Sequence, residues 1–182
     1  TVIMQNGSAI YDDIVTDRTR GTAITGANSS YYGPAGAVWI QGGTFTMENG
    51  ATIGGMTADH PMIGRAFYVD GGDVTINGTI ANVVGDADMW WPDDGIAIHA
   101  RNNANVTLDD EGIVSSIYDE DRKGDSDRAL YSTGAKMAID GIVENCTIMN
   151  VVYWGGSRED NAGTLNGTVR NNLSDQNNGY TI

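Results

Sequence analysis

Two adjacent tryptophans lie in an acidic segment bounded by Gly85 and Gly95. The flat face of an indole stacks on the C–H face of a sugar, and nearby carboxylates accept hydrogen bonds from the sugar hydroxyls. Two adjacent indoles in a polar loop cannot both point inward, so we expect a carbohydrate site here. The alternative is that one indole packs under its own loop and the other covers a neighbouring repeat. With a second aromatic pair included, the candidate ligand-binding residues are Trp90, Trp91, Asp86, Asp88, Asp93, Asp94, Tyr31 and Tyr32.

A second acidic segment, residues 118–127, spaces its oxygen donors as a calcium-binding loop does, with Gly124 at the sharp turn. The match is partial, because Lys123 stands where a fifth donor belongs and no glutamate follows at the last ligand position. A solvated acidic turn, offset by the basic residues around it, is the alternative. The candidate calcium ligands are Asp119, Asp121, Asp125 and Asp127.

Internal repeats indicate how these segments are positioned. Residues 1–10 (TVIMQNGSAI) read again at 44–53 (TFTMENGATI), and looser copies begin near residues 73, 105, 136 and 165. Each copy holds two short runs in which apolar and polar residues alternate, joined by a tight corner rich in Asn, Asp and Gly. Alternation with a period of two predicts half-buried strands.

The alternation also predicts which side chains point inward. In the first run of four copies these are Phe45/Met47, Val74/Ile76, Val106/Leu108 and Met137/Ile139. In the second run they are Ile53/Met56, Ile80/Val83, Val114/Ile117 and Val143/Cys146. We expect the first members of the second set, Ile53, Ile80, Val114 and Val143, to form one buried ladder.

A third apolar run precedes each pair of runs, at residues 37–40, 66–69, 96–99 and 129–132. We expect one column of these runs to point inward and the next to point outward, although the opposite register would bury the aromatic rings instead. The expected inward column is Val38, Phe67, Ala97 and Leu130. The expected outward column is Trp39, Tyr68, Ile98 and Tyr131.

Three short strands per repeat, with loops of variable length between them, predict an all-β fold: a single-stranded right-handed parallel β-helix (β-solenoid) of about five to six coils. We expect residues 1–182 to form a single domain of this kind within a longer chain. A β-sandwich, the alternative, would not keep the same residue types in the same three slots. Because a corner recurs on the same side of every coil, segments 26–36, 58–64, 85–95 and 118–127 should form one lateral wall, whereas the insertion 155–161 should lie at the next corner.

Residues 35–55 (AGAVWIQGGTFTMENGATIGG) resemble the repeats Gly-Gly-x-Val-Tyr-Val…Gly-Gly-Thr-Phe-Thr-Met-x-x-Gly-x-Ile of large bacterial surface and adhesin-like proteins. Those proteins contain Gly-rich right-handed parallel β-helix segments. One repeat matches closely, and the others match loosely over residues 1–169. The resemblance implies the fold and an extracellular or cell-surface location, and it brings no catalytic motif with it. The long acidic and aromatic loops depart from the repeats of that family.

Catalysis has little support in the sequence. The two histidines lie on different corners, and no Ser-His-Asp pattern or zinc-ligand cluster is visible. Parallel β-helix lyases and glycoside hydrolases that degrade polysaccharides exist, so such an enzyme is the alternative function. Arg65 or Arg128 would then be the base of a lyase, although pairing with Asp59 and Asp127 is the simpler interpretation. A phage tailspike-like receptor-binding protein is a further alternative.

The net charge and the composition limit the classes of partner that the chain can bind. The net charge of −14 argues against nucleic acid, since a surface that follows phosphates must be basic. No apolar run approaches the roughly 18 residues of a membrane helix, so we expect no membrane insertion. We therefore expect an adhesin or glycan-binding segment that binds a glycan or a cell-surface receptor, with calcium as its one candidate cofactor. The exposed coil ends suggest end-to-end or neighbouring-domain stacking.

Overall fold

The computed structural model describes residues 1–11, 37–85, 95–119, 128–148, 150–155 and 163–173. Over these ranges the regular structure is β-strand throughout, with turns and bends between the strands. These ranges accordingly contain no helix that is long and apolar enough to cross a membrane. The prediction of an all-β fold is confirmed.

The strands of the described ranges form three sheets whose neighbouring strands are all parallel. Sheet A contains β1 (Val2–Met4), β4 (Thr44–Met47), β8 (Asp73–Ile76), β11 (Asn105–Leu108), β14 (Lys136–Ile139) and β17 (Gly163–Leu165). Sheet B contains β2 (Ala9–Tyr11), β5 (Thr52–Gly54), β6 (Met62–Ile63), β9 (Thr79–Gly85), β12 (Ile113–Asp119), β15 (Ile142–Glu144) and β18 (Thr168–Arg170). Sheet C contains β3 (Val38–Ile40), β7 (Phe67–Asp70), β10 (Gly95–Arg101), β13 (Arg128–Thr133) and β16 (Asn150–Gly155).

The chain visits the three sheets in the fixed order A, B, C. Each inner strand pairs with the strand one repeat earlier and the strand one repeat later in its own sheet, as β8 does with β4 and β11. The short β6 is an extra strand that pairs with β9. Residues at the same position of successive repeats therefore stand in columns, about 4.8 Å apart along each sheet.

One hydrophobic core contains buried side chains from all three sheets. Ile53 pairs with Ile80, Ile80 with Val114, and Val114 with Val143, and all four side chains are fully buried. The predicted ladder is confirmed. The inward pairs of sheet A are likewise buried in every repeat for which they were predicted. Burial of these columns is the main favourable contribution to folding.

Backbone conformation at one corner explains part of the asparagine content. One residue in each of four successive sheet-B strands or their ends has a left-handed backbone, with φ between 55° and 56°: Asn82, Ser116, Asn145 and Asn171. These residues share a column, because the residues just before them are in register. Asparagine tolerates this conformation better than most residues, so its recurrence at the bend has a steric cause.

The tight corner between sheets A and B explains part of the glycine content. The corner glycines of adjacent repeats lie so close that a Cβ atom at Gly141 would stand 2.2 Å from the carbonyl oxygen of Gly112. A Cβ at Gly167 would stand 2.1 Å from the carbonyl oxygen of Gly141. Only residues without a side chain fit this close backbone approach.

Two sequence predictions are wrong in detail. Met56 was expected to point inward, but its side chain is 62% exposed, because β5 ends at Gly54 and the chain leaves the sheet there. In sheet C the residue that pairs with both Phe67 and Leu130 is Ile98 rather than Ala97. The register shifts between Gly95 and Ile98, where β10 carries one residue more than β13, and a bulge of this kind is invisible to a pattern of alternation.

Candidate functional site

Apart from the backbone of Asp119, the candidate site residues all lie outside the described residues. For the carbohydrate site these are Trp90, Trp91, Asp86, Asp88, Asp93, Asp94, Tyr31 and Tyr32. For the calcium site they are Asp121, Asp125 and Asp127, while Asp119 is described by its backbone as the last residue of β12. The structure does describe the strands that precede and follow these segments.

Those strands place the flanks of the two acidic segments side by side. Segment 86–94 connects Gly85 of β9 to Gly95 of β10, and segment 120–127 connects Asp119 of β12 to Arg128 of β13. Gly85 pairs with Asp119 in sheet B, and Gly95 pairs with Arg128 in sheet C. The two segments therefore begin at paired residues and end at paired residues.

The other insertions also connect a sheet-B strand to a sheet-C strand, with one exception. Segment 12–37, which contains the tyrosine pair, also leaves a sheet-B strand and enters a sheet-C strand. The residues between β5 and β7, which include β6, make the same connection. Segment 156–162 instead connects β16 of sheet C to β17 of sheet A, at the corner that the sequence predicted for it. The side of the fold between sheets B and C is thus the side on which the long insertions attach.

Sheet C carries a column of aromatic rings on the face that points away from the core. Trp39 pairs with Tyr68, Tyr68 with His99, His99 with Tyr131, and Tyr131 with Tyr153. Successive ring centroids are 6.2, 4.9, 4.8 and 5.3 Å apart, and the last pair is stacked with an interplanar angle of 13°. We call these five residues the aromatic column.

The aromatic column is covered, although it lies outside the core. Trp39, Tyr68, His99 and Tyr131 are each at most 7% exposed, but none belongs to the contiguous hydrophobic core. Tyr153, at the C-terminal end of the column, is 38% exposed. An outward-facing row of rings is buried only when something lies over it, so the outer face of sheet C is not a free surface.

Three arginines contact the aromatic column. The guanidinium of Arg128 lies 4.1 Å from the ring centroid of Tyr153 and 5.1 Å from that of Tyr131. Arg65 and Arg101 lie 5.3 and 5.1 Å from the ring of Tyr68. These distances are those of cation–π contacts, which strengthen when the pair is removed from water. Arg101 also donates from Nε to Oδ1 of Asp70 at 3.1 Å.

Arg65 and Arg128 occupy equivalent positions, since each stands two residues before an inward residue of the same sheet-C column. Their burial does not favour either as a catalytic base. Arg65 is 1% exposed and Arg128 is 7% exposed, and their guanidinium groups lie over tyrosine rings.

The aromatic column was predicted only in part. Trp39, Tyr68 and Tyr131 were expected on the outward face, and the structure places them there. His99 stands where Ile98 was expected, because of the bulge in β10. Tyr153 was missed, although Val151-Val152-Tyr153 repeats the pattern of two apolar residues before an aromatic ring that precedes Tyr68 and Tyr131.

A single thiol lies in the core at the bend of sheet B. Cys146 is fully buried, its backbone N–H donates to Oδ1 of Asn172 at 2.9 Å, and its Sγ lies 3.4 Å from the carbonyl oxygen of Glu144. Burial raises the pKa of the Cys146 thiol from 9.0 to about 11, because the thiolate would lose its hydration. The thiol is therefore neutral at pH 7 and unreactive in the folded state.

In the part of the chain that the structure describes, no group of three His, Cys, Asp or Glu side chains could hold a metal ion. Several carboxylates of these residues instead contact a side chain of the adjacent repeat. Asn105 donates to Asp73 at 2.7 Å, and Asn166 donates to Asp140 at 2.8 Å, one repeat apart in each case. Arg170 pairs with Glu144 at 2.7 Å in the same manner. These outward contacts connect adjacent repeats.

Comparison of the chain with protein-family models, with curated proteins and with solved structures found no match. The functional interpretation therefore rests on the chain's own residues and on the positions that the strands give them.

Proposed function

We propose that the three sheets form a right-handed parallel β-helix and that this β-helix is a non-catalytic glycan-binding module of a bacterial surface protein. The fixed A, B, C order of the strands and their parallel pairing support the helical path. The right hand follows from the general preference of parallel crossover connections. The surface location rests on the resemblance of residues 35–55 to adhesin-like repeats.

The observation that carries the binding proposal is the pairing of the segment ends. Because Gly85 pairs with Asp119 and Gly95 with Arg128, the tryptophan-containing segment and the acidic segment after β12 leave and rejoin the fold as neighbours. A rigid stack that presents variable loops on one side is a common arrangement for binding sites. Indoles and carboxylates in adjacent loops have the chemistry that a neutral sugar requires.

A site of one or two stacked rings and a few hydroxyl hydrogen bonds gives weak affinity, roughly millimolar to micromolar. Useful adhesion would then require several sites acting together. The ligand class is a neutral glycan rather than a polyanionic one, because a chain of net charge −14 repels polyanions unless a metal ion intervenes.

The test is titration calorimetry with short soluble oligosaccharides chosen from a glycan panel. We expect the double variant Trp90→Ala, Trp91→Ala to lose at least tenfold in affinity while its melting temperature stays within about 2 °C of the parent. The matched control is Ile3→Ala, which removes a side chain that is 54% exposed on sheet A, away from the insertions. Unchanged affinity contradicts the proposal, and a large drop in melting temperature shows that the indoles are packing groups.

Calcium is the proposed cofactor of the neighbouring segment. Four aspartates at alternate positions supply the hard oxygen ligands that calcium prefers. We expect calcium to raise the melting temperature of the parent, and we expect the variant Asp121→Ala, Asp125→Ala to lose that increase. Magnesium is the control ion, since it demands a tighter octahedral site. The absence of any calcium-dependent increase in the parent ends this part of the proposal.

A further inference from the structure

Sheet B continues past the bend at Asn82 and Ser116 towards the strand ends from which the acidic segments leave. In this part of the sheet Met62 pairs with Val83, and Val83 pairs with Ile117. All three side chains are fully buried in the core. Because successive side chains of a strand point to opposite faces, the residue that follows each of them lies on the outer face of the sheet.

These outer residues and their neighbour in the next repeat form one column, which we call the outer row: Ile63, Val84, Tyr118 and Thr147. Each pairs with the next in that order, and all four side chains are half-buried. None of the four is charged, whereas the outward column of sheet B before the bend contains Glu144 paired with Arg170. The outer row is therefore a largely apolar strip in a chain that contains 24 Asp and Glu residues.

The outer row lies next to the strand ends where both acidic segments begin. Val84 directly precedes Gly85, and Tyr118 directly precedes Asp119. Gly85 and Asp119 are the paired residues from which the two segments leave sheet B. The backbone N–H of Gly64 donates to the carbonyl oxygen of Val84 at 2.7 Å, which fixes this end of β9 against the preceding repeat. A ligand bound between the two segments is therefore close to the outer row.

We propose that the outer row is part of the glycan site and that the ring of Tyr118 stacks on a sugar there. This inference rests on the proposed function and adds to it a binding residue on a strand of the fold. A phenol ring offers the flat apolar face that the C–H face of a sugar requires. The aliphatic side chains of Ile63 and Val84 extend this apolar surface across the two strands beside it.

The direction of the outer row predicts how the glycan lies. Its members come from neighbouring strands about 4.8 Å apart, so Ile63 and Tyr118 are separated by about 10 Å. A linear oligosaccharide that crosses the strands contacts Ile63, Val84 and Tyr118 together, whereas a single sugar covers only part of the row. We therefore expect a linear glycan to be the ligand and its affinity to increase with chain length from one sugar to four.

A protein partner fits the outer row less well than a glycan does. A specific protein interface buries roughly 800 Å² on each partner. The outer row is one residue wide and its side chains are already half-buried, so it offers far less apolar surface than that. A glycan suits a narrow strip, because much of its affinity comes from hydrogen bonds between its hydroxyls and nearby polar groups.

The test is titration calorimetry of Tyr118→Ala and Tyr118→Phe with the oligosaccharide used for the tryptophan variant, well below the melting temperature of each protein. We expect Tyr118→Ala to lose about fivefold or more in affinity and Tyr118→Phe to stay within about twofold of the parent, because the ring face makes the contact. The matched control is Tyr11→Ala, which removes a tyrosine that is 42% exposed on sheet B before the bend. Its affinity should equal that of the parent.

Nitration of the parent with tetranitromethane, followed by peptide mass mapping, gives a second readout that does not depend on the folding of any variant. We expect a saturating concentration of the oligosaccharide to slow the nitration of Tyr118 and to leave the rate at Tyr11 unchanged. Unchanged nitration of Tyr118 overturns the inference. Protection of Tyr118 that increases with protein concentration in the absence of sugar also overturns it, and would assign the outer row to a second copy of the chain.

The calorimetric outcomes separate this inference from the proposed function. If Trp90→Ala, Trp91→Ala loses affinity and Tyr118→Ala does not, the proposed function stands and the outer row is not part of the site. A loss in Tyr118→Phe as large as that in Tyr118→Ala contradicts stacking on the ring, and affinity that is independent of glycan length contradicts binding across the strands. A parent that binds no oligosaccharide overturns both proposals.

Discussion

The buried thiol of Cys146 should make the stability of the fold depend on pH in the alkaline range. Its pKa is about 11 in the folded protein and 9.0 when unfolded, so the folded state holds the proton more tightly. The resulting contribution to the free energy of unfolding is fully present below pH 9 and is lost as the pH rises through 11. Linkage gives a loss of about 1 kcal/mol at pH 10 and about 3 kcal/mol well above pH 11.

The assay is urea denaturation of the parent and of Cys146→Ala at pH 7, 9 and 10. Tyrosines and lysines also titrate in this range, so the measured quantity is the difference between the two proteins at each pH. We expect Cys146→Ala to be less stable at pH 7, because it leaves a small cavity, and we expect this difference in stability to narrow by about 1 kcal/mol at pH 10. A gap that stays constant from pH 7 to pH 10 would refute the assignment of a desolvated thiol.

Two further predictions concern the corners. Gly141→Ala places a Cβ atom 2.2 Å from the Gly112 carbonyl and should lower the free energy of unfolding by about 3 kcal/mol, whereas Gly134→Ala, whose nearest atom is 3.9 Å away, should lose only about 1 kcal/mol from its backbone conformation. Equal losses in urea denaturation contradict the close approach. Ser116→Asn should raise the free energy of unfolding by about 0.5 kcal/mol, since φ is 55° there, while the control Ser115→Asn should bring no gain.

The period-two pattern predicted the inward columns of sheet A and the ladder of sheet B correctly. The residues of the sheet-B ladder could be aligned because each follows the same corner; they are Ile53, Ile80, Val114 and Val143. A shift of one residue would turn these side chains to the other face of the sheet, so their burial confirms the alignment. The prediction was wrong at Met56, where the strand ends sooner than the alternation does. Alternation describes which face a side chain takes, and it carries no information about where a strand stops.

The aromatic column was less predictable for a different reason. His99 enters the aromatic column because β10 contains one extra residue, and a bulge depends on the neighbouring strands rather than on local composition. The arginines over the column could not be foreseen either. Arg128 stands next to acidic residues in the sequence, which suggested ion pairing, and that pattern gave no sign that its guanidinium also lies over the rings of Tyr131 and Tyr153.

We propose that a glycan binds where the long insertions join sheets B and C. The most direct measurement is a crystal structure of the protein with the best-binding oligosaccharide from the panel. We predict that the sugar stacks on Trp90 or Trp91, next to the paired residues Gly85 and Asp119. A sugar bound on the outer face of sheet A, or at either end of the stack, would contradict the claim.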